Sequence, residues 1–177
     1  MFRTAEGIPV VILLIACVSG CGQQSAQATA NGTSAAALAK AKYVLQEEPG
    51  GAVGVMIARE DAKDQDEIVL VGRIGGRKNP WIDGRAAFTM IDAAMTIVAS
   101  GKESSAGQIC MDDCCAALRT ECTTLVKLVD EQGAVLPIDA RELLQAQEND
   151  MVVVKGKVRR DGEGSFSVAA SGVYVRK

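Results

Sequence analysis

The sequence predicts a mainly β domain, a five-stranded Greek-key barrel with one helix between its third and fourth strands. Three observations carry this. Five apolar, β-branched runs are separated by turn signals, one helix signal falls after the third run, and glycines stand inside and just after the first. Glycine in a strand suits a sharp bend or a close backbone approach, which is how a small barrel turns its corners.

The first strand is expected over 67–75, with Val69, Val71 and Arg73 on one face and Ile68, Leu70, Gly72 and Ile74 on the other, inward one. The second is expected over 86–92, after a loop (77–85) that carries the one tryptophan of the chain. A cysteine-bearing insertion over 93–122 separates it from a third strand over 123–129. The turn at 130–133 leads through 134–138 to Asp139, which with Glu142 forms a capping-box pattern before the helix formers of 141–147. The fourth and fifth strands are expected over 151–160 and 165–175. Three strands, a helix and two strands is the order of an OB-fold; a β-sandwich would lack the single helix in the third connection. Over 53–59 periodicity alone does not separate strand from helix.

A chain of 177 residues, 48 % apolar, buries one core, so one domain of ordinary size is expected, over 51–177. A formal charge of −3 and a pI near 5.1 argue against coating nucleic acid by bulk electrostatics, and any basic site must be local. The absence of histidine removes imidazole acid–base chemistry, Ser-His-Asp triads and imidazole metal sites. Asp61, Asp64, Asp66, Asp83 and Asp92 offer no evident acid and base pair, and a non-catalytic protein is expected.

Residues 1–20 read as a secretory signal: Arg3, then an apolar stretch from Ile8 to Val18 too short to span a bilayer permanently, then Val18-Ser19-Gly20-Cys21. Small residues before a cysteine resemble the lipobox of bacterial lipoproteins, which implies acylation of Cys21 and a body held at a membrane surface in the cell envelope. Gly22, where inner-membrane lipoproteins commonly carry aspartate, points to outer-membrane sorting under the same resemblance. Residues 21–50 are expected to form a tether, with helical propensity over 34–45.

The runs Gly72-Arg73-Ile74-Gly75-Gly76, Gly84-Arg85-Ala86-Ala87-Phe88 and Gly172-Val173-Tyr174-Val175 are similar to those of uncharacterised bacterial lipoproteins with an OB-like body. The resemblance spans about 65–177 apart from the insertion. It implies a fold and assigns no chemistry.

In OB-folds the loops joining strands one to two and four to five flank the ligand cleft. The first carries Arg77, Lys78 and Arg85 around Trp81; the second is entered through Lys155, Lys157 and Arg159, whose alternate spacing puts them on one strand face. Cations beside an aromatic suit an anionic ligand, with Trp81 either a platform for it or a packed lid. Outside the cytoplasm an anionic glycan, a phospholipid head group, imported DNA or a protein partner all qualify, and nucleic acid is not the favoured one. The bland alternative makes the strand cations a solvated, aggregation-resistant face.

Cys110, Cys114, Cys115 and Cys122 lie within thirteen residues. An oxidising compartment puts two disulfides first; four thiolates holding Zn(II) or Cu(I), or a redox dithiol, are the alternatives. The function expected is a membrane-anchored, non-catalytic binding module. The alternatives are a metal-binding or thiol-redox lipoprotein working through the insertion and a structural envelope protein.

Overall fold

The computed structural model describes residues 36–95, 113–161 and 165–177, apart from the Cys114 side chain. The five expected strands form a closed barrel: β2 (Glu67–Ile74), β3 (Ala87–Asp92), β4 (Thr123–Leu128), β5 (Met151–Arg160) and β6 (Phe166–Val175). Strand β2 pairs antiparallel with β3 on one side and β5 on the other, β3 pairs with β4, β4 runs parallel to β6, and β6 pairs with β5. The order β2-β3-β4-β6-β5, returning to β2, is the OB-like topology and excludes the sandwich.

The interior follows from side-chain alternation. Leu70, Gly72 and Ile74 of β2, Thr124, Val126 and Leu128 of β4, and Val152, Val154 and Val158 of β5 are buried. Each large aliphatic side chain so enclosed contributes about 1.5–3 kcal/mol of transfer free energy. Gly72 is where β2 bends onto β3, and a Cβ there would lie 2.5 Å from the carbonyl oxygen of Ile91, so only glycine lets the two backbones meet. Strand β3 has no exposed face at all. Beyond Ile74 its edge is taken over by the β2–β3 loop, where Thr89 N donates to Pro80 O at 2.7 Å and Ile82 N to Ala87 O at 3.1 Å.

Helix α4 (Ala140–Leu144) seals one end with Leu143 and Leu144. It is shorter than the expected 141–147, because Gln145 enters the left-handed region (φ 51°) and ends it. Asp139 caps it by accepting from Arg141 N at 2.9 Å. The stretch 53–59 is both strand and helix: β1 (Val53–Gly54) adds parallel to β2, then α2 (Val55–Asp61) folds Val55 and Ala58 into the core. Part of the expected tether belongs to the body. Residues 36–43 are helical (α1), Tyr43 is 4 % exposed within the core, and Leu45 N donates to Val173 O at 2.9 Å. The folded unit therefore begins before residue 51, because Tyr43 and Val44 have a place on the barrel to bury apolar surface. In the insertion, a 3-10 turn (Asp113–Cys115) leads into α3 (Ala116–Glu121), which delivers the chain to β4. No helix among the described residues is long and apolar enough to cross a membrane.

Candidate functional site

A cleft of about 900 Å³ lies over the outer side of β4, between the β2–β3 loop and residues Asp161 and Ser165, and touches β3 at Thr89. This is the position at which OB-folds bind ligands. Strand alternation explains its floor: Thr123, Leu125 and Lys127 face outward from β4 because Thr124, Val126 and Leu128 face inward. Arg59, Arg77, Lys78, Arg119 and Lys127 line it, and Asp161 is the one carboxylate among its described residues. The excess of positive charge is notable in a chain whose total is −3. Arg77, Lys78 and Lys127 make no ion pair among the described residues.

The β2–β3 loop is held rather than loose. Gly76 turns it at φ 86°, packed so closely on Thr123 that a Cβ would collide with that side chain. Trp81 bridges to Phe88, Asp83 pairs with Arg141 at 2.8 Å, and Gly84 N donates to Asp139 at 3.4 Å. The hydrogen bonds from the Arg141 side chain hold the Asp139 carboxyl well below the usual range, at about 2, while its partner raises Arg141. Arg77 and Lys78 thus project from a backbone fixed at both ends of the loop, which lowers the ordering cost of binding.

Arg59 forms the opposite wall. Its Nη2 donates to Thr123 O at 2.6 Å, its guanidinium lies 5.2 Å from the Phe166 ring centre, and its buried Nε has no hydrogen-bond partner among the described residues. Arg160 lies over the same ring at 5.1 Å and ties the strand end to α2 through Ala62 O (2.9 Å) and Arg59 O. Burial and, next, the Arg160 charge lower the pKa of Arg59, against weaker support from Cys122 and Glu121. Arg59 has no ion-pair partner among the described residues.

The structure separates the cations that the sequence groups together. Arg77 and Lys78 are in this cleft; Arg85 is exposed and lines neither this cleft nor the next. Lys155, Lys157 and Arg159 do share an exposed face of β5, but it opens on a second cleft of about 460 Å³, with Lys42, Glu67, Asp130 and Glu131. Carboxylates answer charge there: Lys42 meets Glu131 at 2.9 Å and Lys157 meets Glu67 at 3.8 Å. Trp81 is the packed lid, 6 % exposed with its ring centre 5.9 Å from that of Phe88, so it offers no open face. Arg59, Arg119 and Lys127 were not foreseen. Lys127 was within reach, since it alternates outward from a strand whose limits were expected; Arg59 and Arg119 depend on how α2 and α3 dock.

Cys115 and Cys122 stand at the two ends of α3. Cys122 is 0 % exposed and carries a thiol with no sulfur partner among the described residues, its pKa raised by burial and then by Asp92 and Glu121. Cys110 and the Cys114 side chain, and with them the full disulfide or metal constellation, lie outside the described residues. Among the described residues no group of three or more acidic or sulfur ligands could hold a metal ion. No protein-family model and no curated protein matches the chain.

Proposed function

We propose that the protein is a lipid-anchored, extracytoplasmic binding module without catalytic activity, and that its OB-like cleft takes an anionic ligand. The observation that carries this reading is the local charge: five cations against one carboxylate among the described lining residues, in a chain that is negative in total. A cleft lined by one sign of charge against low-dielectric walls focuses its field on a ligand of the other sign. The loop tied to β3 and α4 keeps Arg77 and Lys78 in position for it.

The anchor half of the proposal rests on the signal-like residues 1–20 and on Cys21, the residue to be acylated. Several acyl chains on one cysteine exceed what stable anchoring needs and leave the barrel in water beside the membrane. The test has two parts. Titration of the full-length protein in detergent micelles with a polyanion should show binding at low salt that weakens steadily as salt rises. Cys21→Ser should move the protein from the detergent phase to the aqueous phase. Absence of binding at low salt defeats the cleft half; undiminished partition into detergent defeats the anchor half.

A further inference from the structure

We infer that the cleft selects an anionic polysaccharide, a sugar chain bearing carboxylate, sulfate or phosphate groups, over single-stranded DNA. This rests on the cleft reading above and narrows it.

The first ground is the fate of the aromatic rings. Single-strand readers stack bases on exposed rings, and every base presents a face for this. Here Trp81, Phe88 and Phe166 are all buried, and Phe166, the one ring among the described residues that reaches the cleft wall, is overlaid by the guanidinium groups of Arg59 and Arg160. Tyr43 is buried beside the second cleft, and Tyr174 lines neither. Segments 96–112 and 162–164 contain no aromatic residue, which leaves only Phe2 of the chain uncounted. The apolar side chain most exposed in the cleft is Ile82, 44 % exposed, an aliphatic surface that suits the C–H face of a sugar better than a base.

The second ground is the state of the hydroxyls. A threonine hydroxyl has one proton to give and two lone pairs to accept with. Thr120 Oγ1 spends its proton on Ala116 O at 2.9 Å, and Thr123 Oγ1 on Arg119 O at 2.7 Å. Both line the cleft, so both meet a ligand as acceptors. A polysaccharide supplies hydroxyl donors along its length beside its oxyanions. The DNA backbone supplies oxyanions and no donors.

The third ground is Arg59, whose charge is opposed by Arg160 over the same ring and answered by no ion pair among the described residues. An oxyanion of the ligand supplies the missing counter-charge at the wall of the cleft.

The experiment compares three probes on the full-length protein in detergent micelles at about 150 mM salt, where long-range attraction between exposed charges is largely screened. They are a sulfated octasaccharide, a polygalacturonate oligomer and an oligothymidylate, matched in charge. At least one of the two glycans should bind ten-fold or more tightly than the oligothymidylate. Thr120→Val, on an exposed helical turn, should cut that preference at least three-fold, whereas Thr120→Ser should retain it. Oligothymidylate binding as tight as or tighter than both glycans overturns the inference, as does a preference indifferent to Thr120→Val. In those cases, weakening of all probes by Arg77→Ala with Lys78→Ala leaves the anion cleft standing. Failure of every probe at low salt removes the cleft reading and this inference together.

Discussion

The guanidinium of Arg59 and that of Arg160 lie 5.2 and 5.1 Å from the centre of one ring, Phe166. Two like charges share this ring because its π face attracts each, while backbone carbonyls at Thr123, Ala62 and Arg59 accept hydrogen bonds from their N–H groups. The arrangement joins α2, β4, β5 and β6 at one wall of the cleft. A double-mutant cycle between Arg160→Gln and Phe166→Leu should give a coupling of about 0.5–1 kcal/mol in denaturant unfolding. Additive losses would mean that the stacking contributes nothing beyond packing.

Asp139 ties the β2–β3 loop to the barrel seal and makes stability depend on acid. Its folded pKa, about 2, lies below the ordinary carboxylate value of about 4. Its contribution is therefore complete above about pH 4 and is lost as pH falls from there toward 2. Asp139→Asn, which keeps a capping oxygen but no charge, should lower the denaturation midpoint at neutral pH and flatten its fall between pH 4 and 2. Asp139→Ala removes the cap as well and should cost about 1 kcal/mol more. Parallel pH profiles for wild type and Asp139→Asn would contradict this account.

Cys122 sits where α3 hands the chain to β4, with no solvent contact and its pKa raised. A buried, protonated thiol is a poor nucleophile. In the native protein Cys122 should stay unlabelled by an aqueous alkylating reagent over a time in which exposed thiols react fully, and it should label once the chain is unfolded without reductant. Labelling that never appears on unfolding would show that Cys122 is bonded in a disulfide; rapid native labelling would show that the site is open.

Much of the barrel was legible because each strand lies on the core with one face and turns where glycine and aspartate mark the turn. Strand β5 runs over the expected residues, and the alternate exposure of Lys155, Lys157 and Arg159 follows its pleat. Strand β3 shows no alternation for a reason a local pattern does not carry: the loop through Pro80 and Trp81 pairs along its edge, and both faces are covered. The region from Val53 was ambiguous because two strand residues pass directly into a helix, too few of each for a period to appear. The cleft was half legible. Loop position in the topology singled out Arg77 and Lys78, while Arg59 and Arg119 enter from helices whose docking is long-range. The strand-five side was misplaced, since the outer face of β5 turns toward Asp130 and Glu131 rather than toward the β2–β3 loop.

On the proposed reading anions bind in the cleft over β4, and not wherever the surface is basic. Two triple variants separate these ideas, because each removes three cations and shifts the net charge equally: Arg77→Ala/Lys78→Ala/Lys127→Ala, and Lys155→Ala/Lys157→Ala/Arg159→Ala. The measurement is the affinity of each for one sulfated oligosaccharide across a salt series. The cleft variant should lose about ten- to a hundred-fold at low salt, with a salt slope shallower by about 2, while the β5 variant stays within about three-fold of wild type. Equal losses in the two variants, or a larger loss from the β5 face, would contradict the account.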